Sequence, residues 1–216
     1  MILVNNKGFT VIEMLVALAI FVTFTGITLF NYPRFSNKVS LDLLAHNVAL
    51  TVRQAQTYGL AVKAFPGVIP FPAYGVHFEL AGIETNPIKS FILFADECPT
   101  ATPDKLYKLS GCPSPPPGTD PEFFEKFTIP PGTNSITALC ANEPLVDPKN
   151  PAASTGCSSL ASTFIDITFK SPRPDARIYL NGNTATAASD AEIIFSNSRG
   201  DAKAIVISKT GQISIR

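Results

Sequence analysis

The sequence predicts an α+β protein in which one long N-terminal helix packs on an antiparallel β-sheet. Three observations carry that expectation. An apolar run extends from Phe9 to Phe30. A helical repeat follows it, with apolar residues at three- and four-residue steps from Leu41 to Ala55. Beyond Ala61 the apolar pattern changes to period two, which is the repeat of a strand. The 216 residues suffice for one domain of ordinary size plus an anchor.

The first element is the apolar run. Its 22 residues, interrupted only by a few Thr, one Gly and the single charge of Glu13, give a helix about 33 Å long at ~1.5 Å per residue. That length crosses a bilayer core. Met1–Gly8 is too short to be a secretory signal with its own cleavage site, and no A-x-A signal follows the run. The segment therefore reads as a retained anchor. Lys7 favours a cytoplasmic leader, but Arg34 and Lys38 follow the other end, so charge alone leaves orientation open.

Asn31-Tyr32-Pro33 reads as the membrane exit, with Pro33 kinking or locally breaking the helix. After it, Leu41, Leu44, Ala45, Val48, Val52 and Ala55 form one apolar stripe. Gly59 is the expected C-cap. Next, Tyr74, Val76, Phe78 and Leu80 alternate, with His77 and Glu79 on the opposite face. Ser90–Ala95 reads as a central strand. Twelve of the 19 prolines lie between Pro99 and Pro151, which predicts an irregular insert over 96–160 with a short strand near Phe124–Ile129. Regular strands are expected again at Phe164–Phe169 and Ala191–Phe195. A final hairpin, Ala202–Ile207 with Gln212–Ile215, turns at Ser208-Lys209-Thr210-Gly211.

Cys98, Cys112, Cys140 and Cys157 form no CxxC pair, and their gaps suit no zinc ribbon. Their even number in an extracytoplasmic domain predicts two disulfides. Of the three pairings, 98–112 with 140–157 is the expected one, because each closes a modest loop. Asp96, Glu97 and Asp104 supply hard oxygen atoms for Ca2+, but their spacing is not an EF-hand loop, and solvated loop carboxylates are the simpler reading. With two histidines, His46 and His77, on different elements, no metal site is expected. No Ser/His/Asp or Cys/His constellation exists, so the chain reads as non-enzymatic and cofactor-free. Seven basic residues beyond Phe164 are interleaved with five acidic ones. A solvated sheet face fits this better than a DNA-binding stripe.

A lone carboxylate in a membrane-length apolar segment is costly and seeks an opposite charge. Gly8-Phe9-Thr10-Val11-Ile12-Glu13 and the apolar run resemble the class III signal of type IV pilins and pseudopilins. The residues that carry the likeness are a basic residue and Gly before the cut, Phe after it, and Glu at the fifth mature position. A looser similarity, over Phe91–Asp96 and the Ile205–Ile215 hairpin, is to minor pseudopilins of type II secretion systems. The resemblance implies that a prepilin peptidase cuts between Gly8 and Phe9 and that the new amino group of Phe9 is N-methylated. It also implies that Glu13 helps the subunit enter a filament in the correct register. The amine on Phe9, of the same chain or a neighbour, is the nearest cation for Glu13.

The expected organisation is then a leader at 1–8, a transmembrane half-helix at 9–31, an amphipathic half-helix at 32–59 and an extracytoplasmic β-rich domain at 60–216, pilin-like apart from the 96–160 insert. The implied partners are other pilins or pseudopilins, a prepilin peptidase and an inner-membrane assembly platform. The implied location is a single pass through the inner membrane with a cytoplasmic N-terminus, followed by an extracytoplasmic filament. The implied role is a structural minor subunit of a type II secretion or type IV pilus filament. The alternative is a pilin-like binding module, for DNA uptake or adhesion, presented at a filament tip.

Overall fold

The computed structural model of the chain describes residues 8–63, 72–80, 87–96, 106–107, 123–130, 132, 134–142, 147–150, 157–158, 163–183, 185 and 187–216. It divides into two compact units, Met1–Val39 and Ser40–Arg216. Helix α1 spans Val11–Leu60 and so contributes to both.

Within the first unit α1 is apolar and exposed on every side, with Ile12, Leu18, Phe21 and Phe24 all open. The polar side chains of this stretch bond back to their own helix. Thr23 Oγ1 donates to the carbonyl of Ala19 (3.0 Å) and Thr25 Oγ1 to Phe21 (2.8 Å). Thr28 Oγ1 donates to Phe24 (3.2 Å), and Asn31 Nδ2 donates to Ile27 (3.0 Å). Side chains satisfied in this way need no water, which suits a hydrocarbon surround. The expected break at Pro33 does not occur, because α1 continues through it. Proline removes one helical donor, and the intact turns on both sides hold the remaining ladder.

In the second unit α1 is amphipathic. Leu41, Leu44, Ala45, Val48, Val52 and Ala55 are all buried. Each buried Leu or Val contributes about 1.5–3 kcal/mol through removal from water. Gly59 does not cap the helix. It lies inside α1, where a Cβ would collide with the carbonyl oxygen of Phe169 and approach its carbon at 2.9 Å. The Gly59 carbonyl accepts from the backbone N–H of Ser171 at 3.1 Å, so the glycine allows close backbone approach. The true C-terminal turn comes later. Lys63 N–H reaches back to the Tyr58 carbonyl at 3.2 Å, and Val62 takes the left-handed conformation with φ 54°. That is a Schellman turn built on valine.

Among the described residues ten strands follow: β1 Ala73–Glu79, β2 Ser90–Asp96, β3 Phe123–Thr128, β4 Ser135–Ala141, β5 Cys157–Ser158, β6 Phe164–Lys170, β7 Arg173–Leu180, β8 Asp190–Ser196, β9 Ala202–Ser208 and β10 Ile213–Ile215. They make two antiparallel sheets rather than one. The first has the order β3-β2-β1-β6-β7 and the second β10-β9-β8-β4-β5. The 96–160 region is therefore not wholly irregular, since it holds β3, β4 and β5. Its prolines spare Ser135–Ala141, which keeps every backbone donor and pairs with β8.

The stripe of α1 packs with one face of each sheet in a single core that includes Tyr74, Val76, Phe78, Ile165, Ile167, Phe169, Ile193, Phe195 and Ile205. The amide of Gln56 on α1 donates to the carbonyls of Pro174 (3.2 Å) and Gly211 (3.3 Å), joining the helix to β7 and to the β9–β10 turn. The sheets also meet directly, where Ala176 N–H donates to the Lys209 carbonyl at 2.9 Å.

The opposite face of the first sheet carries His77 and Glu79, as the alternation implies. Period two puts His77 and Glu79 away from the core, yet β1 is buried on both faces. Asp96, Asp166 and Thr168 share that outer face and are also buried.

Candidate assembly site

Gly8, Phe9 and Glu13 lie together at the exposed start of α1. The helix begins at Val11, so Thr10 takes the N-cap position and Glu13 is the third helical residue. Their side chains form a reciprocal capping box. Glu13 N–H donates to Thr10 Oγ1 at 3.3 Å, and the Glu13 carboxylate accepts the Thr10 backbone N–H at 3.2 Å and the Thr10 hydroxyl at 3.2 Å. Sequence reading treated Glu13 as an isolated charge and began the helix at Phe9. The T-x-x-E spacing was the overlooked signal, and it makes Thr10 part of the site.

This geometry reduces the cost of the carboxylate in two ways. Backbone and hydroxyl donors bind one oxygen, and the positive end of the helix dipole lies beside it. It also aims the carboxylate backward, to the residue next to Phe9. A positive charge created at Phe9 would therefore appear within one residue of Glu13's hydrogen-bonding partner.

Residues 3–29 match the prokaryotic N-terminal methylation motif. This match supports a type IV pilin or pseudopilin-type subunit. The exposed apolar helix and the motif together fit a membrane-anchored pilin, and the motif implies assembly with other pilins. No curated protein and no solved structure matches the chain.

The other candidate site residues are dispersed. Cys140 on β4 and Cys157 on β5 form a disulfide between directly opposed residues. Cys98, Cys112, Glu97 and Asp104 lie outside the described residues. Asp96 ends β2 and is buried, unlike a solvated loop ligand. Among the described residues no group of three or more His, Cys, Asp or Glu side chains is arranged to hold a metal ion. His46 is exposed on α1, far in sequence from the buried His77.

Proposed function

We propose that this chain is a structural subunit of a type II secretion or type IV pilus filament, processed by a prepilin peptidase between Gly8 and Phe9 and methylated on Phe9. In this reading residues 1–8 are a leader and residues 9–31 span the inner membrane with the N-terminus cytoplasmic. Residues 32–59 continue the helix, and residues 60–216 form the extracytoplasmic domain. The chain leaves the membrane for the filament through an assembly platform. One observation carries the reading: the Gly8-Phe9 junction stands directly before a helix whose first turn holds Glu13 and whose apolar surface is unburied by its own chain.

The physical logic is a change of surroundings. Before assembly, lipid covers the apolar helix. In a filament, equivalent helices of neighbouring subunits would cover it. Leu43 and Leu50, exposed on the side of α1 away from its core stripe, add apolar surface for such neighbours. Glu13 would pair with the Phe9 amine of its own or an adjacent subunit, coupling charge neutralisation to axial register.

The basic residues of the C-terminal region support a structural role over DNA binding. Lys203 is paired with Asp42 at 2.9 Å, and Arg216 with the buried Glu192 at 3.2 Å. Co-expression with a prepilin peptidase, followed by mass spectrometry of the product, tests the reading. The expected product begins at a methylated Phe9. An uncut N-terminus, or cleavage beyond Phe30, would overturn it.

A further inference from the structure

β7 ends at Leu180, and the chain reverses at once through Asn181-Gly182. Both residues are left-handed, with φ 50° and 72°. Asn183 N–H donates across them to the Leu180 carbonyl at 3.0 Å. Positive φ at both central positions makes this a type I′ turn, the form that Asn followed by Gly favours. The chain then returns along β7, where Ala188 N–H donates to the Ile178 carbonyl at 2.8 Å. Asn181 is also tied to β6. Its backbone N–H donates to the Phe164 carbonyl at 2.9 Å, and its side-chain Oδ1 accepts the Phe164 N–H at 2.9 Å. Asn181 and Asn183 are exposed, and Gly182 N–H has no acceptor among the described residues.

The pair Asn-Gly occurs once in the chain. It carries chemistry of its own. The Gly182 backbone nitrogen can attack Cγ of Asn181, because glycine has no Cβ to obstruct the approach. The nitrogen gives its proton to solvent base, the N–Cγ bond forms, and the side-chain amide nitrogen leaves as ammonia. Water then opens the cyclic imide at either carbonyl. One opening gives aspartate, and the other gives isoaspartate, whose backbone runs through the former side chain. Water is the only co-reactant. Asn183 and Asn197 also lie at turns, but Thr184 and Ser198 follow them, and side chains at that position slow the same attack.

We propose that Asn181 is a self-modification site that the native turn holds unreacted, and that it deamidates when the Leu180–Asn183 turn loosens. The restraint has two parts. The Phe164 N–H holds the side-chain carbonyl toward β6. The Asn183–Leu180 bond fixes the peptide unit between Asn181 and Gly182, which must rotate to bring its nitrogen against Cγ. The product carries a new negative charge at the end of β7. In isoaspartate the backbone is longer by a carbon, so the turn bond and the Phe164 contact lose their geometry together. The change is irreversible and marks local loosening of this corner of the domain.

Incubation of the full chain in detergent micelles, in mildly alkaline buffer with and without denaturing urea, tests this. Mass spectrometry of the tryptic peptide Ile178–Arg199 and labelling by an isoaspartyl methyltransferase read the product. Conversion at Asn181 should be at least about tenfold slower in the folded chain than in urea, because reaction waits on a local opening. Asn183→Pro removes the donor of the turn bond, so it should speed conversion in the folded chain and leave the rate in urea unchanged. Sub-denaturing urea should speed the unaltered protein in the same way, which covers the case of a poorly folded variant. Gly182→Ala should suppress conversion under both conditions. Equal rates in folded and unfolded chains would overturn the proposal. So would conversion centred on another asparagine, or a folded-state rate that neither Asn183→Pro nor sub-denaturing urea raises.

Discussion

Raising the pH should destabilise the folded chain through His77, and the structure sets the size and sign of the effect. Burial alone pushes the imidazole pKa down. The ion pair and hydrogen bond with Asp166 on β6, reinforced by Glu79 on β1, outweigh it and raise the value from 6.5 to about 9. The aromatic groups facing it are Tyr107 and Phe164. Below the unfolded value both states carry the proton, and the stabilisation is fully present. Between 6.5 and about 9 only the folded state holds the proton, so stability falls as pH rises, and above about 9 the contribution is gone. At ~1.4 kcal/mol per pKa unit the loss is about 3 kcal/mol. Urea unfolding of the full chain in non-ionic detergent, followed by circular dichroism from about pH 6 to about pH 10, measures it. The His77→Gln variant carries no titrating group there, so the difference between the two proteins isolates His77. A difference that stays flat, or grows with pH, would refute the reasoning.

Other perturbations test separate parts of the chain. Replacing Cys140 and Cys157 together by Ala should cost roughly 3 kcal/mol in thermal or urea unfolding, the entropy of the loop their disulfide closes, and an unchanged transition would deny it that role. Gly59→Ala should cost about 1–3 kcal/mol in the same assay, because the new Cβ meets the Phe169 backbone. Glu13→Ala should spare membrane insertion but impair filament incorporation or Phe9 methylation. Glu13→Gln separates the two tasks of this residue, since an amide keeps the capping box and loses the charge. If Glu13→Gln assembles and is methylated at normal levels, charge pairing does not set the register.

Long periodic segments were legible in the sequence because their pattern repeats over many residues. The α1 stripe from Leu41 to Ala55 and the strands Phe164–Phe169 and Ala202–Ile207 are of this kind. β4 and β7 were missed for local reasons. β4 sits within a proline-rich stretch whose composition masks a seven-residue ladder, and β7 begins Arg173-Pro174-Asp175, which resembles a turn. The helix end was misplaced because a Schellman turn usually carries glycine, and here Val62 adopts the left-handed conformation while Gly59 serves close packing.

By itself, the sequence determined the long apolar N-terminal helix, the methylation motif at residues 3–29 and the α+β class. All of these depend on residues near one another in the chain, where spacing alone conveys the physics. Tertiary structure decided the rest. It divided the strands between two sheets and buried the His77 face of β1 as well as its core face, whereas the Cys140–Cys157 pairing was already expected from the sequence. Period two tells which residues share a face of a strand, but not whether another part of the chain covers that face. Here the Tyr107 ring packs on His77, a contact that the pattern of β1 could not reveal.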